Sequence, residues 1–196
     1  MAKNQSTPNR SAGNRRSSRQ RSSMMAFCGM MVALATVMMF TGGLIPVLTY
    51  CAPMIAGVIL LPILLEYGKK AAWTAYAAVA LITLFVGIDK EAAFFFLFLG
   101  YYPIVKWDID RLKQKPVRVL LKLIVFNVSI VAMYMILGFL LHMDAVVEDF
   151  TQMGVALLIA FIALMNVCMF MYDRLLSPLV ILYVKRLRPK LKFLRS

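Results

Sequence analysis

The positions of the charges relative to the apolar stretches constrain this chain more than any other feature. Of its 22 Lys and Arg residues, all but Lys90 and Arg174 fall in four clusters. These are the N-terminal segment from Lys3 to Arg21, the Lys69-Lys70 pair, the stretch from Lys106 to Lys122, and the C-terminal segment from Lys185. The segments between them are long, apolar and almost free of charge. Threading the chain back and forth across a bilayer puts every cluster on one side, the pattern expected when cationic loops stay in the cytoplasm. The sequence therefore predicts an all-α integral membrane bundle of six transmembrane helices, with both termini cytoplasmic.

Composition agrees. The hydrophobic share is 62% and the mean hydropathy +0.78, above the roughly 45–50% apolar usage of soluble domains. A net charge of +13 would point to nucleic acid in a soluble protein. Here the cations flank apolar spans, where they hold anionic lipid and fix orientation, so a lipid bilayer is the expected partner and nucleic acid is not. Cys28, Cys51 and Cys168 lie dispersed in apolar stretches, a spacing that suits neither a disulfide framework nor a zinc site. Tyr50 stands where lipoprotein cleavage before Cys51 needs a small residue, and Met24 onward reads as a retained first span.

Three regions follow. Residues 1–23 are rich in Ser, Asn, Arg and Gln and read as a disordered cytoplasmic tail. Residues 24–172 form the transmembrane domain. Its first part, Met24 to Leu65, is about twice as long as the roughly 20 residues of one crossing. Thr41-Gly42-Gly43, with Pro46 and Pro53 beyond, marks the break into two helices, and Pro62 predicts a kink in the second. Glu66 to Lys70 is a cytoplasmic turn, Ala71 to Gly87 the third span, and Ile88 to Glu91 an outer turn. Ala92 to Val105 is short for a span and works if the helix runs from Asp89 to near Lys106, or if the bilayer thins locally. Arg118 to Leu141 and Thr151 to Tyr172 complete the set, joined by an acidic outer loop with Asp144, Glu148 and Asp149. Residues 173–196 form a basic amphipathic tail, which either prolongs the sixth helix or lies at the interface.

Ionisable residues at membrane depth are candidates for function. Asp89, Lys90 and Glu91 could take a polar solute from outside, Lys90 holding an anionic group; equally, Asp89 caps a helix and Glu91 complements its dipole. Asn127 and Asn166 place amides inside spans five and six, where each needs a partner helix or a ligand. The aromatic run from Phe94 to Tyr102 suits core packing and an interfacial belt, or the lining of a pocket for a flat ring. Small residues at Gly29 and Ala33, and at Ala71, Ala75 and Ala78, allow close helix approach, within the chain or to a separate subunit. Asp173-Arg174 at the inner end of span six could pair with neighbouring loops. His142 stands alone, and no metal site or cofactor is expected. Enzyme motifs are missing: Gly68-Lys69-Lys70 lacks the glycine-rich lead-in of a phosphate-binding loop.

The size, the six spans and the stretches Gly43-Leu44-Ile45-Pro46, Leu65-Glu66-Tyr67-Gly68, Asp89-Lys90-Glu91-Ala92-Ala93 and Gly100-Tyr101-Tyr102-Pro103-Ile104 carry a resemblance. The chain resembles, from about Met24 to Tyr172, the S components of energy-coupling-factor (ECF) transporters, the membrane subunits that bind vitamins or micronutrients. The resemblance implies capture of a small-molecule ligand near the outer face, around Gly42 to Pro53 and Asp89 to Glu91. It also implies a transmembrane coupling subunit with ATPases as partners, in a bacterial inner membrane. Members of that family dock the coupling subunit through an Ala-x-x-x-Ala motif on the first helix, and Gly29-x-x-x-Ala33 is the nearest match here. A cell-envelope scaffold similar to rod-shape-determining membrane protein D has comparable size and topology and is the alternative.

Overall fold

A computed structural model describes residues 10–44, 48–87, 89–136, 138 and 155–191. The described residues are helical apart from turns. The helices are α1 (Arg10–Leu44), α2 (Cys51–Ile59), α3 (Leu61–Val86), α4 (Lys90–Leu99), α5 (Tyr102–Ile109), α6 (Lys115–Met135) and α7 (Val155–Leu182). A π-helical turn (Tyr183–Leu187) and α8 (Arg188–Leu191) follow. Among the described residues five helical stretches are long and apolar enough to cross a membrane: Arg21–Gly42, Leu61–Val86, Lys90–Ile109, Lys115–Met135 and Ile159–Arg186.

Helix breaks follow the prolines. Pro62 has no N–H to donate to the Val58 carbonyl, so the second apolar stretch is interrupted at Leu60, which separates α2 from α3. That interruption leaves α2, at 9 residues, short of a span as a single helix. Pro103 likewise cannot bond the Leu99 carbonyl, and Gly100-Tyr101 divides α4 from α5. Together these two run from Lys90 to Ile109, which extends the short Ala92 to Val105 segment at both ends.

Helix α3 also contains a corner. Gly68 has φ +83° and ψ −177°, a conformation open to glycine and strained for any other residue. Contacts show what the corner does. Tyr50 packs on Phe95, and a Cβ on Gly57 would lie 3.1 Å from the Gly100 carbonyl oxygen, so α2 runs parallel to α4. Beyond Gly68, Trp73 stacks on Tyr101 and Tyr76 bonds the Leu97 carbonyl, so this arm runs antiparallel to α4 and α5.

Small residues make the close packing possible. Ala35, Ala52, Ala56 and Ala72 are fully buried, and large rings fill the space between backbones, with Phe95, Phe96, Tyr102 and Phe126 at most 2% exposed. Between helices in lipid, tight packing replaces water expulsion as the cohesive term. The Phe94 to Tyr102 run is therefore mainly core, with Tyr101 also bonded to Ser129 Oγ at 2.8 Å.

Helix continues beyond the apolar stretches at both ends. Helix α1 starts at Arg10, well before Met24, because Ser, Arg and Gln tolerate a helix already nucleated by an apolar span. Of the residues expected to form a disordered tail, only 1–9 lie outside the described set. At the other end α7 continues past Tyr172 to Leu182, prolonging the sixth helix. The acidic loop with Asp144, Glu148 and Asp149 lies outside the described residues.

Candidate functional site

The carboxylates at the start of α4 are held by the segment before α2. Asp89 Oδ1 accepts the Ala92 N–H at 3.1 Å, an N-cap that satisfies one of the free donors of the first turn. Its Oδ2 accepts from Thr49 Oγ1 at 2.9 Å. Glu91 Oε1 accepts from Tyr50 Oη at 2.8 Å, and Tyr134 from α6 reaches the same pair. Lys90 turns back to the last turn of α3, donating to the Leu84 carbonyl at 2.9 Å from an exposed position, where a cation also suits the helix dipole. The three residues thus stand together at the end of the bundle away from the basic clusters, and each has a partner in the chain.

The two amides find each other. Asn127 Nδ2 donates to Asn166 Oδ1 at 2.9 Å, and Asn166 Nδ2 returns a bond to Asn127 Oδ1 at 3.2 Å. Each also donates to the carbonyl four residues earlier, Leu123 and Ile162, at 2.9 Å. The pair joins α6 to α7 and stands apart from Asp89 to Glu91.

The small-residue candidates divide. Ala75 is buried and Ala71 half-buried against the core, so they serve packing within the chain. Gly29 and Ala33 are exposed, and a Cβ added at Gly29 would meet nothing within 4 Å. Met30, Leu34 and Val37 share that outward stripe, between 51% and 60% exposed.

A polar network at the basic end was not expected from the sequence in this form. Asp173 Oδ1 accepts from Lys106 Nζ at 2.5 Å, from Lys122 Nζ at 2.9 Å and from Tyr102 Oη at 2.7 Å. Asp110 bridges the same lysines at 3.3 and 2.7 Å. Lys106 also donates to the Asp173 backbone carbonyl at 2.9 Å. Lys106, Lys122 and Asp173 side chains are only 10%, 12% and 15% exposed. The sequence marked Asp173 as a pairing candidate but treated Lys106 and Lys122 as orientation signals. Their spacing from Asp173 of 67 and 51 residues leaves no periodic trace.

The arrangement can hold helices in register at both ends through polar contacts, and Gly29 and Ala33 stand exposed on α1 among larger apolar side chains. Comparison with protein-family models, with characterised proteins and with solved structures finds no match to this chain.

Proposed function

We propose that the chain is a six-crossing membrane subunit of the S-component type, which captures a small solute and relies on a separate coupling subunit and ATPases. The sixth crossing is the bent path from Cys51 through Leu60 to Tyr67, about 25 Å long at 1.5 Å per residue. It turns at Gly68 into the arm that ends at Val86. In this reading the basic clusters face the cytoplasm with both termini, as the charge rule favours, and the Asp89 to Glu91 end faces outside. There Glu91, Lys90 and Tyr50 offer mixed donors and acceptors to a polar solute.

The observation that carries this reading is the outward Gly29-x-x-x-Ala33 face of α1. Exposed small residues one helical turn apart, with open space at Gly29 among the described residues, suit close approach by a helix of another membrane protein. The second reading, an envelope scaffold, draws on a different observation: Asp89, Glu91, Asn127 and Asn166 all have partners inside the chain. One experiment separates them. The tagged protein is purified in mild detergent from its native membrane, alongside Gly29→Leu and Ala33→Phe variants, and its companions are identified. Recovery of a transmembrane coupling subunit with ATPases, lost in the variants, supports the transport subunit. Recovery of cell-wall or shape proteins without ATPases sinks it in favour of the scaffold.

A further inference from the structure

At the basic end, a cleft of about 370 Å³ opens between the corner of α3, α5 and the C-terminal helices. Its walls are apolar: Leu64 and Leu65 on one side, Val180 and Val184 on the other. Its rim is cationic, with Lys69, Arg111 and Arg188 converging from three different elements. Trp107, 38% exposed, stands beside them at the level where indole rings collect at a membrane interface.

The cations are not used up. Lys69 pairs with Asp108 while its side chain stays 42% exposed. Arg188 pairs with Glu66, Nε to Oε1 at 3.1 Å, while its side chain stays 47% exposed. Arg111 lies over the Trp107 ring at 5.8 Å and has no carboxylate partner among the described residues. Both walls carry a backbone irregularity. Gly68, at φ +83°, lines one side, and a Cβ there would meet nothing within 4 Å. The π-helical turn Tyr183–Leu187 supplies Val184 on the other and leads into Arg188. Such outliers concentrate where a ligand is held. The Tyr183 hydroxyl, one position before Val184, is buried with no hydrogen-bond partner among the described residues.

We infer that this cleft seats one anionic phospholipid, its phosphate among Arg111, Arg188 and Lys69 and its upper acyl chains along Leu64, Leu65, Val180 and Val184. An apolar slot under a cationic rim, at the interface, matches an amphiphile of that charge better than a soluble anion, which would leave the apolar walls uncovered. Basic pockets between helices on the cytoplasmic side have this chemistry in general.

Trp107 provides the probe. With Trp73→Phe it is the sole tryptophan of the chain, and the protein is reconstituted in phosphatidylcholine vesicles. A minority of either brominated phosphatidylglycerol or brominated phosphatidylcholine is then added. The expected result is stronger quenching by the anionic lipid, with a preference of about fivefold per cation engaged. Arg111→Gln, which breaks no carboxylate contact among the described residues, lowers the preference about fivefold, and adding Arg188→Gln lowers it about fivefold again, leaving the share of Lys69. Lys113→Gln, in the same loop but outside the cleft, leaves it intact. Equal quenching by the two lipids, or a preference undiminished by both arginine changes, overturns the inference. Recovery of fluorescence on adding soluble glycerol phosphate also overturns it and assigns the site to a free phosphate.

Discussion

Asp173→Asn is the most informative single change in the bundle. Two lysines and two aspartates make the network at the basic end neutral, and the Asn variant would leave it with one uncompensated positive charge. As carboxylate partners Lys106 and Lys122 would keep Asp110, at 3.3 and 2.7 Å, and Asp110 is itself 36% exposed. Removing one partner from a buried ion pair costs about 3–5 kcal/mol, and the remaining aspartate brings the expectation to the lower end, about 3 kcal/mol. For a chain of this size that corresponds to a fall in Tm of about 6–12 °C. The assay is thermal unfolding of the purified protein in mild detergent, followed by tryptophan fluorescence. Replacing Lys106 and Lys122 with Met, and Asp110 and Asp173 with Leu, should restore most of the loss, because no charge is then stranded. A Tm for Asp173→Asn within about 1 °C of the parent would refute the reasoning, since a lost ion pair at this burial cannot be so cheap.

Other outcomes follow from the same contacts. Asn127→Ala strands the Asn166 amide and should cost about 0.6–2 kcal/mol in thermal unfolding, while the double change to Leu recovers part of it. Gly57→Val drives a side chain into the Gly100 carbonyl, 3.1 Å from the first added carbon, and should cost about 1–3 kcal/mol, read as lost Tm and lower yield. Gly68→Ala has room for its methyl group but not the backbone angle; it should destabilise by about 1–2 kcal/mol through strain alone. In a chain freed of its three cysteines, Lys90→Cys should react with an impermeant thiol reagent from outside, and Lys69→Cys and Lys113→Cys only after permeabilisation. Labelling of positions 69 and 90 from the same side would refute the proposed six crossings.

The large-scale design was legible because charge and hydropathy act over whole segments. Clusters of Lys and Arg marked the turns, Pro62 marked an interruption, and Asp89 sat where a helix start needs an acceptor. Within the candidate site the reading went only as far as residue types. That Asn127 needed a partner was clear; that the partner is Asn166 depends on the facing of two helices, which no local pattern encodes. The Asp173 network was hidden for a related reason. A lysine near a span end serves orientation equally well whether it faces lipid headgroups or a carboxylate, so Lys106 and Lys122 look alike in sequence under either role. The outward turn of Gly29 was equally hidden, since small residues serve inner and outer contacts with the same spacing.

The one-residue corner at Gly68 has a mechanical consequence for how the bundle meets membranes of different thickness. Helices joined by a long loop can slide lengthwise past one another, each matching its own apolar length to the lipid. The two arms that meet at Gly68 cannot, because there is no slack between them, and Glu66 and Lys69 are tethered to Arg188 and Asp108 on either side. A thinner or thicker bilayer must therefore be met by leaning both arms together or by deforming the lipid around them, each at a fraction of a kcal/mol per Å of mismatch. Thickness is thereby converted into tilt of the pair rather than shear between its members.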